Sequence, residues 1–214
     1  MSNELLESLK KAIKDYSGEA AEAIARETIK AKLDPLEVLN VLTMTIRQIG
    51  DGFSRGELWL PELIGAAGAM QRAMEIVQEE IARTGKKREV VGIVVIGTVF
   101  GDIHSIGKTM VASLLAAEGF EVRDLGVNVT VEQFVKAVKQ DRPQILAMSA
   151  LLTSTAPEQR RVISTLERAG LRAEVRVMVG GAAITKEFAK NIGADGFEYS
   201  APSAAKSARA LIGV

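Results

Sequence analysis

The chain contains no cysteine, which excludes disulfide bonds, thiolate metal sites and cysteine nucleophiles and leaves any metal to other ligands. It contains a single histidine, His104, so imidazole chemistry has one address. Neither sign of charge is in excess. The 27 basic and 27 acidic side chains cancel, and no global field draws the protein to nucleic acid or to an anionic membrane. No charge-free apolar run approaches the roughly 20 residues that span a bilayer, and the polar, amphipathic N-terminal stretch lacks the pattern of a cleaved export signal. The expectation is a cytoplasmic protein with neither nucleic acid nor membrane as a partner.

What is present is apolar surface: 47% of 214 residues are hydrophobic, enough for one large domain or two small ones. Two patterns follow one another. Up to about residue 84, apolar side chains recur at helical spacing, as in Leu5, Leu6, Leu9 and Ile13, then Ala20, Ile24 and Thr28, then Leu36, Leu39, Met44 and Ile46. Four helices fit. Their breaks fall at Tyr16-Ser17-Gly18, at Leu33-Asp34-Pro35, where Asp34 is placed to cap the third helix, and across 50–61, where Pro61 opens the fourth. Gly85-Lys86-Lys87-Arg88 reads as a solvated linker.

Beyond it the pattern changes to short, β-branched apolar runs, each followed by a helical stretch. Strands at 90–96, 121–124, 144–149, 175–179 and 196–198 alternate with helices at 106–118, 130–140, 156–169, 185–192 and 202–212. This predicts a flavodoxin-like, doubly wound five-stranded parallel sheet over 89–214, preceded by an all-α four-helix bundle over 1–84. Ligands of such sheets sit beyond the carboxyl ends of the strands at the topological switch point. The loops after strands one, three and four are therefore the place to look for chemistry.

The first of those loops reads Gly101-Asp102-Ile103-His104-Ser105-Ile106-Gly107-Lys108-Thr109. It places the lone histidine where a strand hands over to a helix, two residues after a carboxylate and three before a glycine. A neutral imidazole there suits a transition metal, and a carboxylate on its other ring nitrogen would set tautomer and basicity. Gly107-Lys108-Thr109 also matches the end of the phosphate-loop pattern G-x-x-x-x-G-K-[ST]. The start of that pattern fails, because its first glycine is here Asp102, whose carboxylate would face phosphate oxygens.

Three pieces together carry a resemblance: Asp102-Ile103-His104-Ser105-Ile106-Gly107, then Ser149-Ala150-Leu151 after 41 residues, then Gly180-Gly181 after a further 28. In order and spacing they resemble the D-x-H-x-x-G, S-x-L and G-G elements of the cobalamin-binding domain of corrinoid-dependent methyltransferases and mutases, including the cobalamin-binding module of methionine synthase. The resemblance implies a cobalamin or related corrinoid as cofactor, with His104 replacing the displaced benzimidazole base as lower axial ligand of cobalt. It implies that Asp102 accepts a hydrogen bond from the histidine and that Ser149 extends this relay. It implies further that Gly101, Ile103, Ser105, Ile106 and Gly107 border the cofactor, and that Ser149, Leu151, Thr153, Gly180 and Gly181 line the groove for the displaced nucleotide tail. Near the C-terminus Gly193-Ala194-Asp195-Gly196-Phe197 matches the family, but the following Glu198-Tyr199-Ser200-Ala201-Pro202 departs from it.

The helical half carries a second resemblance. Gly50-Asp51-Gly52-Phe53, Gly56-Glu57 and Leu60-Pro61-Glu62-Leu63 are similar to the G-x-x-F, G-E and L-P-E elements of the cap domain in methyl-carrying members, which covers the upper face of the corrin. Phe53 and Leu60 are the matching positions, with Trp59 beside them; the bundle core is an equally plain destination for all three. Similarity to the carriers of methanol, methylamine and betaine systems implies methyl carriage on cobalt between two partners, a substrate-specific methyltransferase and an acceptor methyltransferase. The cap would have to move, by rearrangement about the linker at 84–88. Three rivals share some of these features: the small subunit of an adenosylcobalamin mutase, which the helical cap disfavours; a corrinoid-sensing regulator, which the absence of a basic helix disfavours; and a phosphate-binding module, disfavoured at Asp102.

Overall fold

A computed structural model describes residues 2–86 and 90–214, and the chain divides into two compact units, Met1–Glu89 and Val90–Val214. Of the expected linker, Lys87 and Arg88 lie outside the described residues.

The first unit is built from α1 (Ser2–Lys14), α2 (Gly18–Lys30), α3 (Pro35–Ser54) and α4 (Leu60–Thr84). Each helix buries one stripe. In α1 it is Leu6, Leu9 and Ile13, and in α3 it is Val38, Leu42, Ile46 and Ile49, at the spacing of one helical face. The start signals act as anticipated: the Asp34 carboxylate accepts the Leu36 N–H at 2.9 Å, and Pro61 sits in the first turn of α4. Three sequence expectations are corrected. α2 turns Ala21, Ala25 and Thr28 inward rather than Ala20 and Ile24, because small side chains let it lie close against α4. Met44 is 46% exposed and belongs to no buried stripe. The break expected from residue 50 begins only after Ser54. Gly50 and Gly52 are buried in the last turns of α3, where helical hydrogen bonding outweighs a glycine penalty of about 1 kcal/mol each.

The second unit alternates β1 (Ile93–Thr98), α5 (Ile106–Ala117), β2 (Glu121–Asp124), α6 (Val131–Asp141), β3 (Ile145–Ser149), α7 (Ala156–Arg168), β4 (Arg176–Gly180), α8 (Lys186–Asn191), β5 (Gly196–Phe197) and α9 (Ala201–Leu211). The sheet is parallel throughout, in the order β2-β1-β3-β4-β5. Helices cover both faces, which explains the uninterrupted apolar runs in β1, β3 and β4. On one face Val95, Leu146, Met148, Val177 and Val179 pack with Phe134 of α6 and Val162, Ile163 and Leu166 of α7; elsewhere α5 packs against α9. The edge strand β2 is largely exposed and reads Glu-Val-Arg-Asp, a charged edge that resists pairing with other chains. The order reverses between β1 and β3, so the loops after these strands diverge and open a crevice at their carboxyl ends. Among the described residues no helix is long and apolar enough to cross a membrane.

Candidate functional site

The loop joining β1 to α5 carries Gly101, Asp102, Ile103, His104 and Ser105, and the first turn of α5 carries Ile106 and Gly107. Ser149 is the last residue of β3 and Gly180 the last of β4, and the two are register partners. Leu151 and Thr153 follow in the next loop, and Gly181 follows Gly180. All of these expected residues thus stand at one edge of the sheet. Phe53 and Leu60 belong to the helical unit, Phe53 half-buried near the end of α3 and Leu60 47% exposed at the start of α4; Trp59 beside it is 78% exposed. Trp59 and Leu60 are therefore not core residues.

Asp102 is the hub. It is 1% exposed, and both carboxylate oxygens are fully engaged. Oδ1 accepts the His104 backbone N–H at 3.0 Å and lies 2.8 Å from His104 Nδ1. Oδ2 accepts the Leu151 N–H at 2.7 Å and the Thr155 hydroxyl at 2.9 Å. Burial alone would raise the carboxyl pKa, but these donors, led by the two from His104, hold it down to about 2. An ionised carboxylate can only accept, so Nδ1 bears the proton and Nε2 of a neutral ring keeps its lone pair. The His104 side chain is 49% exposed. One nitrogen is thus clamped inside the protein while the other faces outward.

Two residues that sequence reasoning missed complete the clamp. Ser149, expected to extend the Asp102–His104 pair, is not Asp102's partner; Thr155, six residues later, takes that place. Thr155 occupies the N-cap position of α7 with a helical rather than extended backbone, φ −98° and ψ −18°, and makes no side-chain cap bond; its hydroxyl proton goes to the charged Asp102 carboxylate. A threonine opening a helix at the ligand edge was the available signal. The second is Asn128, whose side-chain oxygen accepts the Gly101 N–H at 2.8 Å while its own N–H donates to the Asp102 carbonyl at 2.9 Å. Asn128 does this from a left-handed backbone, φ +55°, a conformation asparagine tolerates better than most residues. Nothing local in the sequence predicted that contact. On the inner side, the Thr98 hydroxyl donates to the His104 carbonyl at 3.0 Å.

Around this clamp lies an apolar rim. Phe100, Ile103 and Ile106 are 51%, 74% and 60% exposed, and Leu151 and Leu152 on the neighbouring loop 39% and 42%. Exposed side chains of that size gathered at one sheet edge mark a binding surface. Between β3 and β4 the backbones approach closely: a Cβ on Gly181, at φ +119°, would lie 1.9 Å from the Ala150 carbonyl oxygen, so only glycine fits there. The phosphate-loop alternative loses its cation, since Lys108 is 4% exposed and its ammonium is paired with Asp124.

Comparison with known proteins gives the clamp its setting. The family described as B12 binding domain matches residues 92–207, and a second family of the same description matches residues 5–78. The chain belongs to the B12-binding corrinoid proteins. Trimethylamine corrinoid protein 1 of Methanosarcina acetivorans is 40% identical over 210 residues, covering 98% of this chain and 97% of its own length. Dimethylamine corrinoid protein 1 of Methanosarcina mazei is 38% identical over 210 residues, covering 98% and 96%. Among solved structures, the methanol:cobalamin methyltransferase complex MtaBC from Methanosarcina barkeri superposes with a TM-score of 0.81 at 29% identity, over 98% of this chain and 80% of that one. The donor set fits the cofactor of this family. A corrin brings four equatorial nitrogens to its cobalt, so one outward-facing imidazole nitrogen is what the protein has to add, and the apolar rim suits a large macrocycle.

Proposed function

We propose that this corrinoid protein receives a methyl group from a substrate:corrinoid methyltransferase, with a methylated amine as the donor class, and yields it to a second methyltransferase that serves a thiol coenzyme or tetrahydrofolate. The observation that carries the reading is the half-exposed His104 imidazole, clamped by a buried carboxylate at the centre of an apolar rim. The names of relatives about 40% identical along the whole chain support the amine class. A helical unit matched by its own B12 binding domain family favours a methyl carrier over a mutase subunit. The absence of cysteine, and among the described residues of a long apolar helix, is compatible with work in the cytoplasm.

In this reading His104 Nε2 would hold the cobalt. Asp102 holds the proton on Nδ1 and fixes the plane of the ring, and Leu151 N–H and the Thr155 hydroxyl hold Asp102 ionised. Gly101, Ile103, Ser105, Ile106 and Gly107 border the macrocycle. Ser149, Leu151, Thr153, Gly180 and Gly181 receive the nucleotide tail, with hydroxyls to bond it and glycines to admit it. The bound corrinoid supplies a cobalt centre that takes up and releases a methyl group. By its resemblance to the cap domain of methyl carriers, the helical domain, 1–84, would cover the reacting face, with Phe53 and Leu60 shielding it from water and oxygen. Residues 89–214 form the cofactor-binding domain.

The test is electron paramagnetic resonance of the cobalt(II) state after loading the full-length protein with cobinamide, whose corrin carries no base of its own that could supply an axial nitrogen. Coupling to one axial nitrogen is expected in the wild type and absent in His104→Ala, since no second histidine can replace it. Coupling that persists in the variant overturns the assignment.

A further inference from the structure

The carboxyl ends of β3 and β4 are joined by a side chain that neither the clamp nor the rim uses. Gln159, on the second turn of α7, is 0% exposed. Its amide nitrogen donates to the Met148 carbonyl and to the Gly180 carbonyl, each at 3.1 Å. Those carbonyls belong to adjacent strands, at the last rungs before the strands part. One NH₂ group, with two protons about 120° apart, thus bridges the mouth from beneath. Exchanging nitrogen and oxygen would set an acceptor against two acceptors, so the orientation is dictated by the network. The Gly180 carbonyl receives a second donor from above, the Ala150 N–H at 3.0 Å.

A purely structural position here would favour an apolar side chain, because the Gln159 carbonyl oxygen is buried with no hydrogen-bond partner among the described residues, and such an atom costs about 1–3 kcal/mol. An amide kept at that cost points to a need for its two donors. The next rung pairs Ser149 with Gly180, and a Cβ built on Gly180 meets no atom within 4 Å, so there is open space at that rung.

We propose that Gln159 is a positioning residue that sets the separation of the β3 and β4 carboxyl ends, and thereby the affinity for the nucleotide tail of the corrinoid. The inference rests on the reading above, in which the tail enters between these strands. It acts through the two backbone carbonyls, without contact to the corrin or to His104.

The test compares two probes on the full-length protein: a complete cobalamin, and cobinamide, which has the same corrin without the nucleotide tail. Dissociation constants are measured by spectroscopic titration, beside thermal unfolding of the apo-protein. In the wild type the complete cobalamin should bind more tightly. Gln159→Met, which conserves volume and removes both donors, should weaken the complete cobalamin about tenfold and leave cobinamide unchanged. Gln159→Asn keeps an amide one methylene shorter, which cannot span both carbonyls, and should act in the same direction if the Met variant is too unstable to titrate. Equal weakening of both probes would reduce Gln159 to a stability residue, and unchanged affinity for both would remove it altogether; each overturns the proposal. A wild type that binds the two probes equally well overturns the tail placement itself, and the role of Gln159 with it.

Discussion

Asp102→Asn separates the contribution of the buried charge from that of the side chain's shape. A carboxyl whose pKa falls from 3.8 to about 2 on folding contributes about 2.5 kcal/mol of stability at neutral pH, at about 1.4 kcal/mol for each unit. The amide is isosteric, but its NH₂ must face donors: turned toward Oδ2's position it opposes the Leu151 N–H, and turned toward Oδ1's it opposes both nitrogens of His104. The expected loss is therefore about 2–3 kcal/mol in urea unfolding of the full-length apo-protein at pH 7. Because the folded pKa lies below the unfolded one, the stabilisation is complete above about pH 4 and is lost as pH falls through 2. About half remains at pH 3. Asparagine does not titrate at this position, so the gap between wild type and variant should stay constant from pH 7 to 5 and narrow by about half at pH 3. A gap that keeps its full size at pH 3, or a variant as stable as the wild type at pH 7, would refute the claim that an ionised Asp102 is the hub of the loop.

Gly181→Ala should lower apo-protein stability by about 3 kcal/mol or more, since the new methyl meets the Ala150 carbonyl at 1.9 Å in a backbone of φ +119°; an unchanged melting temperature would contradict the close approach of the two loops. Asn128→Gly and Asn128→Ala should both speed hydrogen exchange at the Gly101 amide, whose acceptor is lost, and the alanine variant should be about 1 kcal/mol the less stable because it must hold a left-handed backbone. Equal stability of the pair would indicate that φ relaxes at that position. Trp59→Ala with Leu60→Ala should leave apo-protein stability within about 0.5 kcal/mol, as befits side chains 78% and 47% exposed, while photolysis of the methylated, corrinoid-loaded protein becomes faster. Unchanged photolysis would remove them from the cap.

Legibility in the sequence followed the range of the forces involved. Strand and helix positions in the second unit were readable because burial on both faces of a parallel sheet demands long apolar runs, and each run was bounded by a helix pattern. The caps at Asp34 and Pro61 were readable because capping is local. The burial of α2 was not, since Ala21 and Ala25 differ from Ala20 and Ile24 only in which stripe meets α4, a tertiary choice. Likewise the pair Asp102 and His104 stands two residues apart and was visible, whereas Thr155 is 53 residues from Asp102 and Asn128 is 27 from Gly101. Their contacts exist only once β2, β1 and β3 are neighbours. Ser149 was the natural guess for the hydroxyl partner because it lies in a recognisable motif; the turn between β3 and α7 instead delivers Thr155.

The same geometry explains how one side chain can be rigid and available at once. A residue proposed to ligate a metal must be positioned closely, yet His104 lies in a loop with half its side chain in solvent, where loop residues ordinarily move. The restraint comes from below. His104 is held at three atoms: its N–H and Nδ1 by Asp102, and its carbonyl by the Thr98 hydroxyl. Asp102 is in turn held by two groups from the loop after β3, and its carbonyl by Asn128 from the loop after β2. Three separate loops are thereby tied to the one residue Asp102, two of them through its carboxylate and one through its carbonyl, while Nε2 is left without a bond inside the network. His104 is thus joined through the Asp102 carboxylate to Leu151 and Thr155, so under the proposed ligation a pull on the imidazole would be felt in the loop after β3.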